Sequence, residues 1–333
     1  MVKVGINGFG RIGRLILRAL LENYKGKIQV VGINDLGSIE TNAHLIKYDS
    51  THGILNHEVK TTGDGFQIGD QNIKVFSERD PAKLPWGKIG ADVVLECTGF
   101  FLDKASAGKH IQAGAKKVII SAPAKEVDFT LVQGVNSKEL KRDHNVISNG
   151  SCTTNCLAPV AMVLEKTFGI TYGYMTTIHS YTGDQKLLDT LHKDLRRARA
   201  TEGSMIPTST GASKALAEII PELKGKIEGV AMRVPTPNVS LIDLVFNSSK
   251  NLSVNQINDS FKEASKKNLK NILDATEEKL VSIDFNHNSN SAIVDLSLTN
   301  VVGNKMGKVS AWYDNEWGFA SRMCDLAEYI HKI

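Results

Sequence analysis

The chain has 333 residues, more than one hydrophobic core usually organises, so two domains are expected. Lys and Arg total 40 against 36 Asp and Glu; the net +4 suits a small anionic ligand and gives no reason to expect nucleic acid. Four scattered cysteines make no disulfide framework, no apolar run approaches the ~18 residues of a membrane span, and the opening MVKVGINGFG lacks the pattern of a signal peptide, so a reduced, cytoplasmic protein without membrane contact is expected.

The opening run VKVGI reads as a buried parallel strand, followed by Gly8-Phe9-Gly10-Arg11-Ile12-Gly13 and a helix with Ile12, Leu15, Ile16, Ala19 and Leu20 on one face. This glycine triplet is weak alone, but between a strand and a helix it has the context of a dinucleotide fingerprint. Gly8 permits the turn, Gly10 lets a pyrophosphate approach, and Gly13 lets helix and strand pack closely. The helix N-terminus offers N–H groups to the phosphates. A second strand, KIQVVGIND, ends at Asp35, 22 residues past Gly13. A carboxylate there can accept from ribose hydroxyls and repels a 2′-phosphate, which favours NAD over NADP.

Val59 to Phe76 alternates between turn signals (TGDG, GDQN) and predicts inserted hairpins. ADVVLECTG and KKVIISAP predict further strands, with a helix around Lys104 to Gln112 between them. Strands alternating with helices predict an α/β Rossmann domain over residues 1–150. Beyond it the pattern changes. ITYGYMTTIHS, GKIEGVAMRVP, VSLIDLVFN, SAIVDLSLT and GKVSAWYD read as long strands, with helices near Ala212 to Ile220 and Val254 to Lys267. That predicts an α+β domain over 151–314 with a mainly antiparallel, mixed sheet. A terminal helix over 315–333 carries Phe319, Met323, Leu326, Ala327 and Ile330 on one side.

The stretch NGSCTTNC, Asn149 to Cys156, enters a helix, although Pro159 should kink it or delay its start. Cys152 at the helix N-terminus has a setting that favours thiolate. Ser151 and Thr153 beside it carry hydroxyls suited to a phosphate. Cys-x3-Cys without a second pair disfavours metal, and Cys156, a turn further in, reads as a small core residue. A nucleophile needs a base. His179, closing YMTTIH, is the best placed of nine histidines, but position alone does not separate a base from a packed imidazole. Arg196, Arg197 and Arg199 cluster after it, and Arg233 ends GVAMRVP; such arginines serve phosphate recognition or subunit interfaces. Thr210 and Gly211 open a helix that could hold a second anion.

Together INGFGRIGR, SNGSCTTNCLAP, HSYTGDQ, HKDLRRARA, PTSTGA, MRVPTPNVS and WYDNEWG resemble the phosphorylating glyceraldehyde-3-phosphate dehydrogenase family of bacterial type, over essentially the whole chain. SCTTNC followed by HSYT is the most specific part. The resemblance implies Cys152 as nucleophile and His179 as its base. It implies Ser151, Thr153, Thr210 and Gly211 at the locus of inorganic phosphate, and Thr182, Arg197 and Arg233 at further substrate and phosphate contacts. It gives Arg11, Ile12, Asp35, Arg79, Ser121 and Asn315 to NAD, and no metal. The terminal helix would return to the first domain, and the chain would assemble as a homotetramer acting on glyceraldehyde 3-phosphate and inorganic phosphate. Thr190-Leu191 stands where NAD-specific members often carry Leu-Pro, a pair of the kind seen where NADP is also accepted. Erythrose-4-phosphate dehydrogenase is a related alternative, and a nucleotide- or RNA-binding protein is one from another class.

Overall fold

The computed structural model describes residues 1–69 and 71–333; Asp70, in the GDQN turn, lies outside the described residues. The chain divides into two compact units. The first holds Met1–Gln133, Ser137–Ser151 and Ala320–Ile333; the second holds Gly134–Asn136 and Cys152–Phe319.

The first unit is built on a nine-stranded sheet. Its order is Phe129–Thr130, Val146–Ser148, Lys117–Ile120, Val93–Glu96, Val2–Asn7, Ile28–Asn34, Gln71–Phe76, Gly65–Ile68 and Val59–Thr62. Neighbours run parallel as far as Gln71–Phe76; the last two strands are antiparallel hairpin arms, in the stretch where the alternation predicts them. The order reverses between Val2–Asn7 and Val93–Glu96, and ligands of open α/β sheets gather at that switch, beyond the strands' carboxyl ends. The helix expected near Lys104 forms as two short pieces, Lys104–Ala107 and Lys109–Gln112, parted at Gly108. From Ala320 on, the terminal helix belongs to this unit: the Tyr24 hydroxyl donates to Asp325 Oδ1 at 2.5 Å, and Cys324 Sγ lies 3.8 Å from the Ile16 carbonyl.

The second unit carries a mixed sheet in the order Ile206–Ser209, Ile227–Val234, Ile170–Ser180, Ser240–Ser248, Met306–Tyr313, Ala292–Asp295 and Leu273–Thr276, with Asn300–Val302 also on Met306–Tyr313. Most pairings are antiparallel; Ile170–Ser180 with Ile227–Val234, and Leu273–Thr276 with Ala292–Asp295, are parallel. Helix Cys152–Phe168 is buried along most of its length. Two expectations change. The strand over SAIVDLSLT stops at Asp295, whose carboxylate accepts from the Ser297 N–H and hydroxyl and folds the chain into a 3-10 turn. Pro159 neither delays the Cys152–Phe168 helix nor breaks it; the helix begins at Cys152 itself.

Candidate active site

In the first unit a cavity of about 480 Å³ opens at the carboxyl ends of the central strands. Gly8, Gly10, Asp35, Arg79 and Thr98 are among its walls. The glycine loop has the shape the fingerprint requires. Gly8 sits at φ +89°, and a Cβ there would come within 2.7 Å of the Thr98 nitrogen. A Cβ on Gly13 would stand 2.2 Å from the Gly8 carbonyl oxygen, whereas one on Gly10 meets nothing within 4 Å. The loop is thus packed from behind and open in front, and no side chain caps helix Arg11–Asn23, which leaves its N-terminus to an anion. Asp35 Oδ2 accepts from the Phe9 N–H at 2.9 Å and Oδ1 from Gly37 at 2.8 Å, which fixes the carboxylate on the loop. These residues fit a dinucleotide. The Arg11 side chain pairs with Asp49 at 2.5 Å, and Ile12 is half-buried in the first turn. Ser121, at the end of strand Lys117–Ile120, is half-buried and does not line the cavity. Asn315 lies in the second unit, where its Oδ1 accepts from Ser240 Oγ at 2.9 Å.

The expected nucleophile and its expected base meet in the second unit. Cys152 opens its helix, His179 ends strand Ile170–Ser180, and Sγ lies 3.4 Å from Nε2. The tautomer follows from the other nitrogen. Nδ1 is 2.6 Å from the Ser180 carbonyl oxygen, an acceptor only, so the proton sits on Nδ1 and Nε2 can accept from sulfur. Arg233 Nη1, though 3.0 Å from Nδ1, then donates to the Ser180 carbonyl and the Thr182 hydroxyl, each at 3.1 Å. Burial, aided by the Arg233 charge, takes the His179 pKa down to about 3, so the imidazole is a neutral base at neutral pH. Burial also pushes the Cys152 thiol above its ordinary range; the Arg233 charge and the Thr153 donors only partly oppose it. Burial thus works against the thiolate that the helix N-terminus favours, and His179 Nε2 is placed to take the sulfur proton.

Ser180 is held by a strained corner. Its hydroxyl donates to the carbonyl of Val239, a buried β-branched residue at φ +69°, and its N–H donates to Ser240 Oγ. The Thr153 hydroxyl is turned to Tyr313 Oη at 2.9 Å, and the same phenol meets Thr177 Oγ1 at 2.8 Å. The Tyr313 ring stands edge-on to His179 at 6.0 Å.

The cationic side chains are not equivalent. Arg199 makes an exposed pair with Asp189, and Arg196 is exposed. Arg197 turns inward, its Nε donating to Thr208 Oγ1 and its Nη1 to Asp184 Oδ2, both at 2.9 Å. The other Asp184 oxygen accepts from the Thr182 hydroxyl. Burial works against this carboxylate, but Thr182, Arg233 and Arg197 outweigh it and hold its pKa below the ordinary value. Arg233 Nε is buried with no partner among the described residues. Thr210 accepts from the Ala212 N–H at 3.2 Å and Gly211 caps helix Ala212–Ile219, which packs against the nucleophile's helix; Ser151 is half-buried just before that helix. Asp184, Ser180, Tyr313, Asn34 and Thr98 are absent from the sequence reading. Only Asp184, two residues from Thr182 in a basic segment, offered a local signal.

Two family models match: "Glyceraldehyde 3-phosphate dehydrogenase, NAD binding domain" over residues 2–104 and "Glyceraldehyde 3-phosphate dehydrogenase, C-terminal domain" over residues 151–315. The chain is 56% identical over 330 residues to a glyceraldehyde-3-phosphate dehydrogenase of Geobacillus stearothermophilus, covering 99% of this chain and 98% of that one. It is 54% identical over 332 residues to one of Xanthobacter flavus, covering 100% and 99%. To glyceraldehyde-3-phosphate dehydrogenase 1 of Bacillus subtilis it is 55% identical over 332 residues, covering 99% and 98%. With a glycine loop shaped for a dinucleotide and a cysteine aimed at a neutral histidine, the chain belongs to the glyceraldehyde-3-phosphate dehydrogenase family.

Proposed function

We propose that the protein oxidises glyceraldehyde 3-phosphate with NAD and inorganic phosphate to 1,3-bisphosphoglycerate. The observation that carries this is the 3.4 Å approach of Cys152 Sγ to a His179 Nε2 able to accept a proton. Cys152 adds to the aldehyde carbon while its proton passes through Nε2 to the carbonyl oxygen, forming a hemithioacetal and leaving Nε2 free. His179 then takes the hemithioacetal hydroxyl proton in its turn as general base. NAD, when bound, supplies the acceptor for the hydride that leaves that carbon. Inorganic phosphate attacks the resulting thioester and releases the Cys152 sulfur. Thr182, Arg197 and Arg233 bind phosphoryl oxygens, with the unpartnered Arg233 Nε as a donor in reserve; Ser151, Thr153, Thr210 and Gly211 serve the second anion. Gly8, Gly10, Gly13, Arg11, Ile12, Asp35, Arg79, Ser121 and Asn315 hold NAD. NADH formation from glyceraldehyde 3-phosphate is expected to require inorganic phosphate. Phosphate-independent turnover, or a preference for erythrose 4-phosphate, overturns the assignment, and parallel assays with NADP measure what Thr190-Leu191 allows.

The active form is a homotetramer in the cytoplasm. Supporting assembly, Leu187, Leu188, Leu191, Leu195 and Met205 crowd one short segment and all are exposed, Leu191 to 98%. Supporting a reducing compartment, Cys97, Cys152, Cys156 and Cys324 are all unpaired. Light scattering after gel filtration is expected to give four times the chain mass; a monomer overturns the assembly.

A further inference from the structure

Beneath the first unit's cavity lies a polar chain that the reaction does not use. It starts at Trp86, which is completely buried. Its indole is seated on two neighbouring strands at their glycines: a Cβ on Gly5 would meet the ring at 2.6 Å and one on Gly32 at 3.5 Å. Phe76 closes the seat edge-on at 6.3 Å. So confined, the ring can send its N–H one way only, and Nε1 donates to His110 Nδ1 at 2.9 Å.

The rest follows from donor and acceptor types. An indole N–H can only donate, so His110 Nδ1 carries no proton and Nε2 does. That proton points at Glu96 Oε2, 2.9 Å away. The same oxygen takes the Asn7 amide N–H at 2.6 Å, which turns Asn7 Oδ1 toward Asn34 Nδ2 at 2.7 Å. Asn34 then locks onto the Glu78 backbone, donating to its carbonyl and accepting from its N–H, both at 2.8 Å. The other Glu96 oxygen accepts from the Thr98 N–H at 2.8 Å and from its hydroxyl, and Thr98 Oγ1 accepts from the Phe100 N–H at 3.1 Å. Asn7, Asn34, Glu78, Thr98 and Phe100 all line the cavity, whereas Trp86, Glu96 and His110 do not. Each bond has one possible direction: Trp86 sets the His110 tautomer, Glu96 collects His110, Asn7 and Thr98, and the Glu78 backbone completes the hold on Asn34.

We propose that Trp86, His110 and Glu96 are positioning residues for the cofactor, fixing which way the amides of Asn7 and Asn34 and the Thr98 loop face the dinucleotide before it binds. A buried carboxylate held by four hydrogen bonds is dear to desolvate, and it is tolerable only because every donor is in place. Pre-orientation of this kind removes the cost of ordering the wall on binding. The inference rests on the assignment of this cavity to NAD.

The test compares His110→Met with His110→Gln by calorimetric NAD titration of the full chain. Methionine fills space without polar hydrogen bonds of comparable strength; glutamine can accept from Trp86 and donate to Glu96. NAD binding is expected to weaken about ten-fold in H110M and to return to within about three-fold of wild type in H110Q, with the KM for the aldehyde little changed in either. Trp86→Phe, which keeps the ring and loses the N–H, is expected to weaken NAD about five-fold and stands in should H110M fail to fold. Equal NAD affinity in wild type, W86F and the folded His110 variants overturns the proposal, and so does a loss in H110M that H110Q fails to recover. A wild-type chain that does not bind NAD instead overturns the cavity's assignment, and the proposal with it.

Discussion

Under the cavity of the first unit, Glu96 accepts from His110, Asn7 and twice from Thr98, so its lone pairs are spent inside the protein. Beside His179 in the second unit the balance is reversed. There two arginines lie near one carboxylate, Asp184, and a guanidinium nitrogen of Arg233 has no partner among the described residues. The first network is closed and sets directions; the second is open and holds its donors on an internal anion that a phosphoryl oxygen can replace. Binding a large cofactor of several parts calls for shape fixed in advance. Binding a small dianion calls for positive charge held in place without collapsing onto its surroundings.

Breaking the open network at its reacting atom has the largest expected effect. Cys152→Ser is expected to lower kcat by at least about a thousand-fold, since a serine hydroxyl beside one neutral imidazole is a far weaker nucleophile; calorimetry is expected to find NAD binding intact, and loss of both would mean the two networks are one. His179→Asn comes next, about a hundred-fold to ten-thousand-fold in kcat. It should also slow alkylation of Cys152 by iodoacetamide at neutral pH, because burial holds the thiol protonated without its base. An unchanged alkylation rate would show that the sulfur ionises unaided.

Gly13→Ala sharpens the comparison from the other side. Its Cβ would collide with the Gly8 carbonyl, so NAD affinity is expected to fall at least about ten-fold while alkylation of Cys152 in the absence of NAD continues at the wild-type rate. Asp184→Asn removes the internal anion, and the KM for glyceraldehyde 3-phosphate is expected to fall about three-fold; a rise would mean that Asp184 aligns the arginines rather than competing for them. The smallest effect concerns stability. His179 binds its proton near pH 3 when folded and near 6.5 when unfolded, so between these values the unfolded chain holds more protons and stability falls as pH falls. The slope is at most about 1.4 kcal/mol per pH unit. His179→Asn lacks it, and thermal melts at pH 6.5 and 4.5 compare the two.

Where the chemistry is carried by neighbours in sequence, the sequence was readable. The glycine loop, Asp35 and the cysteine stretch each pair a residue type with the start or end of an element. Strand Ile170–Ser180 was read to the residue, being rich in β-branched and aromatic residues as far as His179. What escaped is non-local. Glu96 lies 89 residues from Asn7, and Trp86 24 from His110, and a tryptophan, a histidine and a glutamate that far apart look like ordinary core and surface. The left-handed turn at Val239 was hidden for a different reason: nothing about valine advertises positive φ, and only the surrounding bonds hold it there. Cys156 was legible in the sequence as a core residue, and it is one. It shares a motif with Cys152, yet it is fully buried against the Ala311 carbonyl and its thiol is pushed far up, an inert side chain one turn behind the proposed nucleophile.

The first unit is discontinuous: Ala320–Ile333 returns to Met1–Gln133 and Ser137–Ser151 after the whole of the second unit. Helix Arg11–Asn23, whose N-terminus faces the cofactor cavity, leans on Cys324 at the Ile16 carbonyl and on Asp325 at the Tyr24 hydroxyl. These partners lie about 300 residues along the chain from the helix they hold. The dinucleotide cradle thus depends on a distant stretch of the chain, so a protein cut before Ala320 is expected to leave that helix open to protease.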